Sequence, residues 1–372
     1  MLLQINGSIA APRGFRAGGY GGYGLITCGL PAVCAGVFGK NKGLSAPASW
    51  SSFLIEQGDF CQAILLCGTV AGICVGDEGY ADAVRLAFLA GQAVGISSEK
   101  VLFAAAGEAG VRFHMEEAED AILRLGRTLS PEEGAGESVA ASISADGETA
   151  EIAVEFDIGE KKARIGGVCR RGEAFGILTT DAAISKEMLQ RALRADAEDT
   201  FFMAMADGSR GSDCILCAAS GMAGNKRITE EDGDYTAFCA ALRHVTSFLA
   251  RRMATRGKLV EISVQNAADK QTASLLARAA AKSVPLRTGI SAGKADWESL
   301  LYALLETEAV FDPGLLDINL RSAAGSISLL RNGLAVPKEG DIDTILSQPA
   351  VTFAIDVKNG NGSAVAYAGV AE

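Results

Sequence analysis

The sequence predicts an α/β fold on two observations. Short apolar runs of strand length alternate with longer stretches of helical periodicity, and hydrophobic residues make up 49% of the chain against 21% charged. That balance can bury a sizeable core, and 372 residues suit roughly two to three domains, or two parts around a shared interior. Strands are expected at Ala63–Cys67, Val101–Ala105, Ala150–Phe156, Ala163–Cys169, Ala174–Thr179, Phe201–Ala206, Asp213–Ala219, Leu259–Val264, Leu315–Leu320, Ser326–Leu330 and Val351–Val357. Helices are expected at Tyr80–Val94, where Ala81, Val84, Leu86, Leu89 and Val94 build an apolar side, and at Lys186–Arg194 behind a Ser185 cap. Tyr235–Met253, Ala267–Lys282 and Trp297–Glu306 behind Asp296 complete the set. Gly126–Glu137 opens on a Ser130-Pro131 helix start and then turns Gly-rich, so it reads as a surface connection, while Asn225–Asp234 joins a strand to the helix at Tyr235.

A formal net charge of -11 argues against a nucleic-acid backbone or an anionic membrane as partner, because either needs a basic footprint. Arg251, Arg252, Arg256 and Lys258 are the nearest approach to one, and they read as the polar end of a helix. The uncharged stretch Phe60 to Gly76 falls short of the roughly 20 apolar residues a spanning helix needs and is broken by Gln62, Gly68 and Gly72. Met1 to Phe15 has no basic region ahead of an apolar run, so no secretory signal is expected and the cytoplasm is the expected location. Cys28, Cys34, Cys61, Cys67, Cys74 and Cys239, of the nine cysteines, lie in apolar company and read as buried reduced thiols. The pair Cys214 and Cys217 sits in a strand-like run, with only His114 and His244 as histidines in the whole chain, so core packing is favoured over metal or redox work. No metal or organic cofactor is suggested.

Three polar or glycine-rich motifs invite a functional reading. Gly18 to Gly24 has the look of a phosphate loop, but no strand precedes it and no lysine follows at the needed spacing, so a close-packed turn is expected. Glu116-Glu117, Glu119-Asp120 and Glu230-Glu231-Asp232 read as solvated surface. Ser209-Arg210-Gly211-Ser212-Asp213 interrupts two apolar strands and is either a ligand-contacting loop or a plain turn.

Several segments carry a family resemblance. Gly14-Phe15-Arg16-Ala17, Pro31 to Phe38, Asn41, Ala46-Pro47, Cys74 to Gly79, Ile165-Gly166-Gly167, Thr179 to Ile184, Asp207-Gly208, Gly221 to Asn225, Phe311-Asp312-Pro313 and Arg331-Asn332-Gly333 run in order along the chain. Together they resemble the ornithine acetyltransferase family, the bifunctional enzymes of arginine biosynthesis. The resemblance implies a layered α/β/β/α sandwich, also seen in DmpA-like proteins, in two parts: 1–184, equivalent to the family α chain plus the start of its β chain, and 185–372. It also implies a homo-oligomer, a dimer, and an amino-acid-like ligand.

In that family the chain cuts itself ahead of a threonine, whose hydroxyl is then the nucleophile and whose freed amine is the base. Counting back from Thr179-Thr180-Asp181, the nucleophile position is Glu173, in a connection from Arg170 to Ala174 that is shorter than the family's. The family's Thr-Gly oxyanion pair falls on Ala106-Gly107, where the hydroxyl is gone, and loss of one such donor costs about 100- to 1000-fold in rate. By the same alignment the family's substrate-site lysine falls on Arg170, its Thr-Thr-Asp on Ser144-Ala145-Asp146, and a glutamate near Ala254, while the tail that reaches its site has no counterpart before Ala371-Glu372. Arg210 and Asp213 complete the candidate binding set.

Two readings follow. One is an uncut relative without acetyl transfer, keeping the fold and binding an amino-acid-like metabolite or a partner subunit. The other is an acyltransferase or amidohydrolase with a new constellation around Arg170, Glu173, Arg210 and Asp213. Thr179 and Thr180 end an apolar strand, so their expected role is structural, and Ser209 and Ser212 are weaker nucleophile candidates.

Overall fold

The computed structural model describes residues 2–40, 43–144, 150–204, 210–255, 257–337 and 342–370. They group into two units, residues 1–198 with 209–253, and residues 199–208 with 254–372. These groupings do not coincide with the chain halves 1–184 and 185–372, because the strand at 214–219 inserts between strands of the first half.

The first unit carries one mixed sheet. Its strands are β1 (Leu2–Ile5), β2 (Phe15–Tyr20), β3 (Tyr23–Phe38), β4 (Phe60–Cys67), β5 (Val101–Ala105), β6 (Ala150–Ile158), β7 (Lys161–Cys169), β8 (Phe175–Thr180) and β9 (Cys214–Ala219). Their order is β1-β6-β7-β8-β9-β3-β4-β5, with β2 also paired to β3. The helices are α1 (Ala46–Gln57), α2 (Gly76–Val94), α3 (Met115–Thr128), α4 (Glu133–Ile143), α5 (Lys186–Asp199) and α6 (Gly233–Ala254).

Strand β3 creates the layers. Its first half pairs with β2 and β4 and its second half with β9, and the register with β4 slips between Thr27 and Ala32. Gly29 and Pro31 lie in that slip, where a residue without Cβ and one without N–H break the ladder at little cost. The two halves fold toward each other, so β4–β5 and β8–β9 become facing layers. Alternation of side chains shows it. Ile64, Leu66, Leu102 and Ala104 share an inner core with Val168, Phe175, Ile177 and Leu216, while Ala63, Leu65, Val101 and Phe103 face outward onto α1, α2 and α3. On the outer side of the other layer, Gly167 leaves room for Leu178, Val245 and Leu249, the last two from α6. This is the layered α/β sandwich expected from the sequence.

The second unit has β10 (Lys258–Ala267), α7 (Lys270–Lys282), α8 (Val284–Ser291), α9 (Trp297–Leu305), β11 (Asp317–Ser322), β12 (Gly325–Arg331), β13 (Leu334–Ala335), α10 (Ile342–Leu346), β14 (Ala350–Asp356) and β15 (Gly362–Val370). Its sheet runs β13-β12-β11-β14-β10-β15, and a separate apolar core joins the sheet to its helices. Asp269 and Asp296 cap α7 and α9 through their side chains, so α7 starts after the expected Ala267, which belongs to β10.

Three expectations are corrected. Phe201–Ala206 is not a strand: Phe201–Ala204 is one 3-10 turn, its Met203 and Ala204 amides donating to Thr200 O, and the rest lies outside the described residues. A continuous apolar run has no period to separate strand from helix. The connection Gly126–Glu137 contains the start of α4, which buries Ala135, Val139, Ala140 and Ile143. Its small residues are a packing surface rather than a loop signal, since a Cβ on Gly136 would collide with Ser8 Oγ. All nine cysteines are free, but Cys74 is exposed and Cys239 half-buried. Cys214 and Cys217 are fully buried in β9, where burial pushes the Cys214 thiol well up and the Cys217 thiol to about 12.

The glycine run from Gly18 is a hairpin between β2 and β3, with Gly21 and Gly22 at φ 61 and 81 in its turn. A Cβ on Gly19 would meet the backbone of α4 at Ser138. Arg251 and Arg252 occupy the last turn of α6, and Arg256 lies outside the described residues. Among the described residues no helix is long and apolar enough to cross a membrane.

Candidate functional site

The facing layers bring four backbone segments to one place. The connection from β7 to β8 is a tight turn in which the Arg170 amide donates to Phe175 O at 3.0 Å and the Phe175 amide to Glu173 O at 2.7 Å. Gly172 sits at φ 80, a conformation that favours glycine, and its amide is held by Met253 O at 2.9 Å. Beside this turn the Cys214 amide donates to Ala174 O, which starts the parallel pairing of β8 with β9. Across from it lie the segments that leave β4 and β5, tied together by Glu108 N donating to Thr69 O at 2.9 Å.

Arg170 is the bridge between the layers. Only 7% of it is exposed, and its Nη1 donates to Gly68 O and, at 2.8 Å, to Ile143 O. One guanidinium therefore fixes the exit of β4 and the C-terminal end of α4. Its Nε lies 3.8 Å from Glu173 Oε1. Arg210 reaches the same oxygen with Nη1 at 3.3 Å, although its side chain is 45% exposed. Asp213, fully buried, anchors Arg210 from below: Oδ2 accepts from the Arg210 amide at 2.6 Å and Oδ1 from the Ala174 amide at 3.3 Å.

Glu173 is the centre of this cluster and is 6% exposed. Among the described residues its Oε2 has no hydrogen-bond partner. The Gly107 amide faces the carboxylate and favours its charged form, though outside hydrogen-bond geometry. Burial raises the Glu173 pKa above the ordinary value, and the two arginines offset only part of that effect.

Gly107 is suited to a close approach. Its φ is 133, and a Cβ there would run into the backbone of Thr69. Ala106 is buried and its amide is spent on Cys67 O at 2.9 Å, so of the Ala106-Gly107 pair only Gly107 addresses Glu173. Ser144 directly follows Ile143, whose carbonyl Arg170 holds, and its amide closes α4 on Ala140 O. Asp146 and Ser209 lie outside the described residues.

The threonines of β8 are structural. Thr179 and Thr180 are fully buried, and their hydroxyls donate to Ile9 O at 2.7 Å and Arg164 O at 2.8 Å. The following Asp181 accepts from the Arg164 amide at 2.6 Å and from Arg13, so this segment pins the N-terminal loop to β7. Ser212 is also buried.

The structure thus brings together Arg170, Glu173, Arg210, Asp213 and Gly107. The carbonyls of Gly68 and Ile143 complete the site and were not anticipated, since a backbone acceptor leaves no mark in a sequence. Among the described residues no group of three or more His, Cys, Asp or Glu side chains is placed to hold a metal.

The fold and this cluster define a layered α/β protein with a buried arginine–carboxylate cluster between its layers. A profile of the ArgJ family matches residues 10–369, and the chain belongs to that family, which the motifs had pointed to. It is 31% identical to the arginine biosynthesis bifunctional protein ArgJ of Symbiobacterium thermophilum over 98% of this chain and 95% of that one. It is 29% identical to the ArgJ protein of Thermotoga neapolitana over 92% and 90%. Among solved structures, the ArgJ protein of Bacillus halodurans aligns with 46% of this chain and 93% of its own at 22% identity, with a TM-score of 0.44.

Proposed function

We propose that this chain is an ArgJ-family protein that stays uncut and does not carry out acetyl transfer between N-acetylornithine and glutamate. The observation that carries the reading is Glu173. The position where the resemblance places a nucleophilic threonine holds a buried carboxylate, locked between Arg170 and Arg210. A carboxylate inside a continuous chain supplies neither a hydroxyl nor a freed amine to activate it.

The rest of the cluster supports this reading over a rearranged enzyme site. Arg170 is occupied by two backbone carbonyls and Asp213 by two backbone amides, so both are committed to holding the chain in place. The oxyanion position keeps one backbone amide at Gly107 and no hydroxyl. What the reading leaves to the protein is the fold and its ability to bind an amino-acid-like metabolite or a second copy of itself.

Two measurements test it. Intact-mass analysis of the purified protein should show one full-length chain; a pair of fragments with a new N-terminus at or next to Glu173 would overturn the proposal. Acetyl transfer from N-acetylornithine to glutamate should be indistinguishable from the uncatalysed background, and turnover abolished by Thr180→Ala but retained by Glu173→Ala would also overturn it. The dimer is part of the same proposal, and light scattering of the purified chain reads it.

A further inference from the structure

We propose that Arg170 and Arg210 form a preorganised receptor for a carboxylate, which the chain fills with its own Glu173 and which accepts a free short-chain monocarboxylate when that side chain is cut back. The inference rests on the reading that residue 173 is an internal occupant and not a nucleophile.

Arg170 is held in place independently of Glu173, and Arg210 is tethered beside it through its backbone. Arg170 is fixed by Gly68 O and Ile143 O, and the backbone of Arg210 by Asp213 Oδ2. Loss of the Glu173 carboxylate therefore leaves the Arg170 guanidinium oriented at a vacated space, in a buried setting where charge is felt strongly, with Arg210 tethered beside it. The third wall is Gly107, whose backbone stays bare because no Cβ fits against Thr69. Glu173 fills this space without saturating it, since Oε2 lacks a partner among the described residues. A small anion free to rotate is not bound by the tether of the turn and can address both arginines at once, as arginine geometry favours.

Glu173→Ala removes the atoms that acetate replaces, a methyl for Cγ and a carboxylate for a carboxylate. Thermal unfolding of this variant at about pH 8, with sodium acetate exchanged for chloride at constant ionic strength, should show a saturable rise of about 1–3 °C at about 100 mM acetate. The wild type, the Glu173→Gln variant, and Glu173→Ala with acetamide should show none. Line broadening of carbon-13 acetate should appear with Glu173→Ala and disappear when Arg210→Ala is added. An equal acetate response in all proteins, or none in Glu173→Ala, overturns the receptor.

If Glu173→Ala does not fold with or without acetate, a double-mutant cycle between Glu173→Gln and Arg210→Ala decides the matter. A coupling of about fivefold or more in the unfolding equilibrium is expected, and additive effects overturn the proposal. The uncut-chain reading fails on a different measurement, the appearance of two fragments, so the two outcomes are separable.

Discussion

Replacing Arg170 with methionine is the sharpest test of the cluster. The change keeps an unbranched side chain of similar reach while removing every donor. It strands two buried carbonyls, Gly68 O and Ile143 O, each worth about 1–3 kcal/mol when left without a partner. It also removes the buried cation beside Glu173, and breaking such a pair from one side costs about 3–5 kcal/mol. These effects overlap, so the expected loss is about 4–6 kcal/mol, a large share of the roughly 5–15 kcal/mol that holds a domain together. Arg210→Ala is the control. That side chain is 45% exposed and its pairing with Glu173 is screened by solvent, so about 1 kcal/mol is expected. Urea unfolding read by tryptophan fluorescence measures both. Trp50 belongs to the first unit, with its indole N–H on Val101 O at 2.9 Å, and a Trp297→Phe background removes the signal of the second. A difference between the two variants below about 1 kcal/mol would refute the role given to Arg170 as the bridge between layers.

Three further outcomes follow from the same geometry. Burial raises the folded-state pKa of Glu173, so the folded protein binds its proton more tightly than the unfolded chain, and this group's contribution to stability falls as pH rises from the ordinary value near 4.5 through the raised one. Glu173→Gln removes that dependence, and the stability difference between variant and wild type, measured by urea midpoints from pH 4 upward, should shift in favour of the variant with rising pH; a shift of opposite sign would refute it. Gly107→Ala places a Cβ against the Thr69 backbone at φ 133 and should cost about 2–4 kcal/mol by the same assay, whereas an unchanged midpoint would contradict the close approach. With a thiol reagent the native protein should give one rapid reaction, at Cys74, with Cys239 slower and the rest reacting only on unfolding; loss of the fast phase in Cys74→Ser checks the assignment.

Much of this was readable before any coordinates, and the reasons differ from place to place. Strands such as Val101–Ala105 are unbroken apolar runs of strand length, so their position followed from composition. The site residues followed from counting along the chain from a landmark, Thr179-Thr180-Asp181, which is how Arg170 and Glu173 were found. Strands β1, β2, β3, β13 and β15 were not anticipated, because Gly and Ala dilute the alternation of β2, β3 and β15, exposed residues end that of β1, and β13 is two residues long. Helix α4 was hidden by the small residues that let it approach Ser8 and Gly19. The bend in β3 was also illegible, although Gly29 and Pro31 are its residues in the sequence, since a glycine and a proline mark a break without saying which halves will then face each other.

That bend brings the turn at Glu173 against the segment that leaves β4, where Arg170 meets Gly68 O. Glu173 keeps its place through its neighbours in the chain: its own carbonyl takes the Phe175 amide, and Gly172 before it is held by Met253 O. A cut between Gly172 and Glu173 would release an amine on Glu173 and a carboxylate on Gly172 beside Arg170, Arg210, Glu173 and Asp213, so it would add one charge of each sign to the cluster. In a chain with threonine at that position the new amine is the base the chemistry needs. Here it would have no hydroxyl to activate. Glu173→Thr is informative for the uncut-chain reading: it supplies a hydroxyl at the nucleophile position and removes the carboxylate between Arg170 and Arg210, but the oxyanion position keeps Ala106 without a hydroxyl, so self-cleavage should not be restored by that single change. Appearance of two fragments in Glu173→Thr would show that the side chain at 173 alone decides whether this chain is cut.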